Sequence, residues 1–237
     1  MNIIVTGASR GIGKELVKDF ASRGGNRVLA LSRNLSPLEK LAVKCNLDFP
    51  SSEVHFAFID LADKEFLKQD WIKEVSWLAN APDILVNNAG LLVNKPFGDL
   101  GIEELEQMVR VNYLSPALLI RELLPHMGKN GRGHIVNISS MGGVQGSVKF
   151  PGLSGYSASK AALAILTECL AEEFKSLNVS FNCLALGAVQ TEMLQEAFPG
   201  YRAPVKPADM AKWMADFCLK GMHYCNGKIL PFSLSTP

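Results

Sequence analysis

Paired cysteines are missing from this sequence. Cys45, Cys169, Cys183, Cys218 and Cys225 are scattered, odd in number and never arranged as CxxC, and no histidine-rich stretch accompanies them. That argues against a disulfide framework and against a metal site such as zinc. An excess of one charge is missing too: 24 basic residues against 23 acidic leave +1, without a long run of either sign. No broad basic surface for nucleic acid or anionic lipid follows. No uninterrupted apolar stretch approaches the roughly 20 residues that span a bilayer, so no membrane segment is expected. Met1-Asn2-Ile3-Ile4-Val5 runs directly into a glycine-rich turn, with no charged leader or apolar signal core, and a cytoplasmic location is the expectation. What is there is ordinary globular material: 48% hydrophobic and 20% charged residues over 237 positions suffice for one buried core, expected as a single domain over 1–237 with a small-molecule partner.

Asn2 to Thr6 reads as a short buried strand. Gly7-Ala8-Ser9-Arg10-Gly11-Ile12-Gly13 follows, then an amphipathic run from Lys14 to Arg23 with Leu16, Val17 and Phe20 on one face. In a strand–turn–helix of this kind Gly7, Gly11 and Gly13 let the backbone approach a pyrophosphate, while the helix amino terminus presents unpaired N–H groups. Ser9, Arg10 and Ile12 belong to the same cradle. Arg27 to Ser32 is a second strand and ends in Arg33 rather than in an acidic residue. An acidic residue there would accept hydrogen bonds from an adenosine ribose, whereas Arg33, with Arg10 as a second cation, can pair with a 2′-phosphate; either arginine could instead stack on adenine or be solvated. NADP(H) is therefore expected over NAD(H). Glu53 to Ile59 makes a third strand, stopping at Asp60-Leu61, where a carboxylate can receive the adenine amino group or cap a helix starting at Asp63. Asp83 to Val86 makes a fourth, ending in Asn87-Asn88-Ala89-Gly90. There an amide can fix neighbouring strands or a ribose, and small residues let a flat ring pass.

The stretch Tyr156-Ser157-Ala158-Ser159-Lys160 puts a phenol and an ammonium four residues apart on one helix face. A cation near a tyrosine favours the phenolate and lowers its pKa, making an acid/base pair. With TGxxxGxG at Thr6 to Gly13, NNAG at Asn87 to Gly90 and YxxxK at Tyr156 to Lys160, the chain resembles the short-chain dehydrogenase/reductase family over about four-fifths of its length. The resemblance implies an α/β chain with a single-domain Rossmann fold: a doubly wound, mainly parallel seven-stranded sheet, order 3-2-1-4-5-6-7, with helices on both faces. The strand–helix alternation of the sequence agrees.

The helical pattern Glu103 to Met127 carries Asn112, which the resemblance makes a fourth catalytic residue holding a relay water; by itself it reads as a buried structural amide. His134 to Ile138 is a fifth strand delivering Ser139 and Ser140. Ser140 matches the family's substrate-binding serine, with Ser139 as the alternative. The separation from Ser140 to Tyr156 is three residues longer than usual, which points to a lengthened loop in Val144 to Gly155. From Ala161 to Lys175, Leu163, Leu166, Leu170 and Phe174 form a helical stripe of core or subunit contact. In the family this helix, with the one carrying Asn112, packs against a second copy, so a homodimer or homotetramer is implied. Val179 to Ala185 is a sixth strand. After it Leu186 stands where the family has proline; Gly187 remains, and Val189 and Thr191 match the positions that hold the nicotinamide carboxamide, although Thr191 can equally cap a helix. Gly227 to Leu230 suits the last strand, followed by an atypical tail, Pro231 to Pro237. The implied activity is reversible hydride transfer between a nicotinamide and a carbonyl or alcohol, with Tyr156 as acid/base, Lys160 also holding the nicotinamide ribose, and Ser140 positioning the carbonyl. The alternatives are a catalytically silent sensor or scaffold on the same fold and, less favoured, a lyase or epimerase.

Overall fold

Short runs rich in Ile, Val and Leu, bounded by glycine turns, favour strands buried on both faces when amphipathic helices separate them. The computed structural model describes residues 1–68 and 82–234. In it β1 (Asn2–Thr6), β2 (Arg27–Ser32), β3 (Glu53–Phe58), β4 (Ile84–Asn87), β5 (Gly133–Ser140), β6 (Val179–Leu186) and β7 (Lys228–Phe232) form one sheet of order β3-β2-β1-β4-β5-β6-β7. Every neighbouring pair is parallel, so the sheet is wholly rather than mainly parallel. Alternate residues feed opposite cores. Ile3, Val5, Val28 and Ala30 face one layer, with α1 (Gly11–Ser22), α2 (Leu35–Asp48) and α7 (Pro207–Lys220). Ile4, Leu29, Leu31 and Ile135 face the other, which holds α4 (Ser115–Leu123) and the far end of α5 (Ser154–Glu173).

Several elements differ from the sequence reading. The run Leu35–Asp48, which the pattern Leu38, Leu41, Ala42, Cys45 buries on one side, is a helix the strand-based reading passed over. The single helix expected from Glu103 to Met127 is α3 (Ile102–Val109), a π-helical turn over Arg110–Leu114, α4, and a 3₁₀ turn at Leu124–His126. The expected helix from Ala161 begins earlier, at Ser154, so Tyr156 and Lys160 lie inside α5. The helix expected from Asp63 leads into residues outside those described; a 3₁₀ turn at Phe66–Lys68 precedes them. Pro231 lies within β7, on the sheet edge, where a missing N–H is tolerated. The end of the expected tail, 235–237, lies outside the described residues.

Among the described residues, no helix is long and apolar enough to cross a membrane, and no group of His, Cys, Asp and Glu side chains could hold a metal ion. The strand order reverses between β1 and β4, and ligands in such sheets bind beyond the carboxyl ends of the strands at that point. A cleft of about 480 Å³ opens there.

Candidate active site

The glycine turn closes onto the strand beside it. Gly7 (φ +67°) and Gly11 (φ +56°) have left-handed backbones. A Cβ on Gly7 would lie 2.7 Å from Ala89 Cα, and one on Gly13 would lie 2.4 Å from the Gly7 carbonyl oxygen. Thr6 ties the two strands: its hydroxyl accepts from the N–H groups of Asn88 (3.1 Å) and Ala89 (3.0 Å), and Asn88 Nδ2 donates to the Thr6 carbonyl at 3.0 Å. Thr6 and Asn88 thus hold the cradle: Asn88 fixes the neighbouring strand, as an amide at that strand end can, while the sequence reading gave Thr6 no such role. At the amino terminus of α1 no side chain caps the helix and no acidic residue occupies the first turn. Its N–H groups therefore suit a dinucleotide pyrophosphate. Ser9 Oγ accepts from Ser32 Oγ at 2.9 Å, joining the turn to the end of β2. Ile12 packs on the core beneath.

The two arginines both reach the cleft, and each has a carboxylate beside it. Arg10 makes two bonds to Glu196, 2.5 and 3.2 Å long, and holds that carboxyl below the ordinary carboxylate range. Glu196 belongs to α6 (Glu192–Ala197), an element 186 residues away in sequence. Arg33 Nε lies 3.9 Å from Asp60. Asp60 also accepts the Ala62 N–H at 3.0 Å, a bond within its own turn. Leu61 is buried, and its carbonyl receives the Ser115 hydroxyl.

Asn87 stands apart from the cleft. It is buried in the sheet, where Nδ2 donates to Asn137 Oδ1 at 2.8 Å, and its Oδ1 has no partner among the described residues. Ala89 and Gly90 line the cleft. A Cβ on Gly90 would come 3.3 Å from Lys160 Nζ and 3.4 Å from Asn112 Oδ1, which brings those two groups together behind it. Asn112 sits in the π turn, fully buried. Its amide accepts the Leu91 N–H and donates to the Leu91 carbonyl, each at 2.8 Å, and donates to Ser159 Oγ at 2.9 Å. The side chain therefore fixes the loop after β4 against α5.

β5 ends in the two serines, and they divide their work. Ser139 is buried and donates to the Lys160 carbonyl at 2.8 Å. Ser140 lines the cleft, accepts the Gly142 N–H at 3.2 Å and lies close enough to the Tyr156 phenol to favour its charged form. Lys160 Nζ donates to the Ile138 carbonyl at 2.8 Å and lies 5.9 Å from the Tyr156 ring centre. Desolvation pushes the lysine down to about 8. It also pushes the phenol up to about 12, against the opposing effect of Ser140. This corrects the expectation that Lys160 lowers the tyrosine: the ammonium is turned to a strand carbonyl, and burial dominates. The phenol is held as a proton donor.

Beyond β6, the Gly187 N–H donates to the Phe232 carbonyl of β7 at 2.9 Å. Val189 bridges to Val205. Thr191 Oγ accepts the Leu194 N–H at 3.2 Å, capping α6, so the helix-cap alternative describes what its side chain does. α6 lies along the cleft and is tied at its far end by Asn94 Nδ2, which donates to the Ala197 carbonyl at 2.7 Å. Apolar side chains of Leu91, Leu92, Val111, Phe150, Met193 and Phe198 complete the wall.

A family model described as short chain dehydrogenase matches residues 1–202. Dehydrogenase/reductase SDR family member 7B of Xenopus laevis is 34% identical over 202 residues, covering 84% of this chain and 61% of the relative; this chain spans about three-fifths of that relative's length. Among solved structures, L-sorbose reductase from Gluconobacter frateurii, complexed with NADPH and L-sorbose, superposes with a TM-score of 0.86 at 24% identity, covering 100% of this chain and 97% of that one. 4-Hydroxyisoleucine dehydrogenase complexed with NADH gives a TM-score of 0.83 at 26% identity, covering 98% and 96%.

Proposed function

The chain belongs to the short-chain dehydrogenase family, and from that premise we propose that it is an NADP(H)-dependent oxidoreductase moving a hydride between the nicotinamide and a carbonyl or alcohol of a small molecule. The observation that carries this reading is the arrangement in the cleft: Tyr156 and Ser140 line it together, one helical turn from Lys160, beside an uncapped helix amino terminus. When bound, the nicotinamide supplies or accepts the hydride. Tyr156 gives the proton to the carbonyl oxygen during reduction, and its raised pKa keeps it protonated until that oxygen gains charge. Ser140 holds the same oxygen and favours its developing charge. Lys160, which lines the cleft, would hold the nicotinamide ribose, and Asn112 fixes the backbone of the loop after β4 beside it.

The glycine turn with Ser9, and Ala89 with Gly90, would carry the dinucleotide. Asp60 and Leu61 would meet the adenine, and Gly187, Val189 and Thr191 the carboxamide. Arg10 and Arg33 support NADP(H) over NAD(H) as the cations nearest a 2′-phosphate. The apolar lining favours a carbonyl on an apolar or lightly polar skeleton over a multiply charged one. Two copies of the chain would pair through α3 and α5. With Tyr156→Phe, turnover of NADPH with aldehydes, ketones or quinones should fall by about 10²- to 10⁴-fold, while NADPH affinity by fluorescence titration stays within about twofold of wild type, since one lost neutral hydrogen bond is modest. Unchanged turnover would remove Tyr156 from its role.

A further inference from the structure

The tie between Arg10 and Glu196 joins the glycine turn to α6, across the mouth of the cleft. Three observations make it more than an incidental surface pair. It is forked, with both terminal nitrogens of the guanidinium on the carboxylate at 2.5 and 3.2 Å, the geometry that a phosphate would also demand of this side chain. Its carboxylate is carried on a short helix fixed at both ends, by the Thr191 cap and by the Asn94 bond to the Ala197 carbonyl. And its partner arginine lines the cleft with Ser9, Ser32 and Arg33, where β2 ends.

We propose that Glu196 is a specificity-determining residue: by holding Arg10, it makes a 2′-phosphorylated dinucleotide displace a carboxylate that an unphosphorylated one leaves in place. The inference rests on the reading of the chain as a nicotinamide enzyme. With a dinucleotide of the same shape but without the 2′-phosphate, Arg10 and Glu196 keep their bonds, and nothing opposes binding. With the phosphate, the guanidinium exchanges one anion for another, and the freed Glu196 is left facing a dianion. Glu196 therefore lowers the preference for NADP(H) that Arg10 and Arg33 alone would produce. Glu192, on the same helix, acts on Arg10 only through space and more weakly than Glu196; its Oε2 lies 3.5 Å from where a Cβ on Gly11 would sit, beside the pyrophosphate turn common to both dinucleotides.

The test is a fluorescence titration of the purified full chain with NADPH and with NADH, for wild type, Glu196→Gln, Glu192→Gln, Arg10→Met and the Arg10→Met/Glu196→Gln double variant. Both groups are largely solvent-exposed, so the pair is a weak one, and Glu196→Gln should tighten NADPH by about three- to fivefold while moving NADH by less than about twofold. Glu192→Gln should shift both dinucleotides, with a smaller change in the NADPH-to-NADH ratio than Glu196→Gln. In the Arg10→Met background, Glu196→Gln should change the NADPH-to-NADH ratio by less than it does in the wild type, and the difference is the share that acts through Arg10. An unchanged ratio in Glu196→Gln, or weakened NADPH binding, overturns the inference and leaves the nicotinamide reading standing. Failure of the wild type to bind either dinucleotide removes both.

Discussion

His134 lies on the central strand β5 with no exposed surface, and both of its ring nitrogens are engaged. Asn182 Oδ1 accepts the Lys228 N–H, so Asn182 Nδ2 is the donor facing His134 Nε2 at 3.0 Å. Nε2 must then be the acceptor, and Nδ1 carries the proton that goes to the Cys218 carbonyl at 2.9 Å. Burial drives this histidine down to about 4, against the raising effect of the Cys218 bond. The same cause acts on Tyr156 and Lys160, one pushed up and the other down, so in all three residues burial favours the neutral form. For His134 the sign of the linkage is definite. The folded pKa lies below the unfolded value of about 6.5, so the contribution to stability is complete above that value and is lost as pH falls toward 4, because only the unfolded chain binds the extra proton. Between pH 7 and pH 5 this amounts to about 2 kcal/mol. Urea unfolding at the two pH values should show a loss of that order, and His134→Gln, though less stable overall, should show a much smaller pH dependence. Equal slopes in the two proteins would mean that other groups titrate in this window.

At the scale of the element, the last strand does more than finish the sheet. Leu186 pairs in register with Phe232, the Gly187 N–H donates to the Phe232 carbonyl, and the Phe232 ring stacks on Trp213 of α7 at 3.7 Å between centres. The loop expected to meet the nicotinamide is thus anchored by a strand that comes last in sequence. Where the family has a proline to stiffen the turn, this chain has Leu186, and the anchor is in a position to take over that task. Truncating the ring in Phe232→Ala should free the end of β7 and weaken cofactor binding by about tenfold, the equivalent of one hydrogen bond with its packing, with a smaller change in kcat; a lowered Tm with unchanged cofactor affinity would show that the anchor serves only stability. The strands and the YxxxK helix are legible in the sequence because they are written in local periodicity and short motifs, whereas the strand order comes with the family resemblance that those motifs carry. The pattern for α2 is equally present, in Leu38, Leu41, Ala42 and Cys45, beside stronger strand signals. The π turn around Asn112 has no local signature, since it is a shift in hydrogen bonding and not in composition. The pairing of Arg10 with Glu196, the engagement of Asn87 by Asn137 and the direction of the Tyr156 shift all depend on residues distant in sequence and on burial.

The molecule as a whole leaves one side unfinished. α3 and α5 pack closely, with so little space at Gly155 that a Cβ would come 2.6 Å from Met108 Cε and 2.8 Å from Leu105 Cδ2. Those contacts bury one side of each helix, yet Ile102 and Val109 of α3, Leu114 of the π turn and Ile165 of α5 remain exposed, Ile102 by 67% and Ile165 by 55%. Scattered apolar residues on a surface need no explanation, but two adjoining helices that both present them invite a self-complementary, two-fold contact. α5 carries Tyr156 and Lys160, and the π turn that follows α3 carries Asn112, so a contact that clamps the outer sides of α3 and α5 would also steady the groups proposed for proton transfer. Sedimentation at micromolar concentrations should therefore find a dimer or tetramer, and Ile165→Glu, which places a charge in the middle of the contact, should shift the chain toward monomer with a fall in kcat larger than any change in cofactor affinity. A wild-type chain that sediments as a monomer would show that this face serves no such contact. A monomeric Ile165→Glu variant with full kcat would separate assembly from the chemistry, leaving the rigidity of α5 to its inner contacts with β5 and β6.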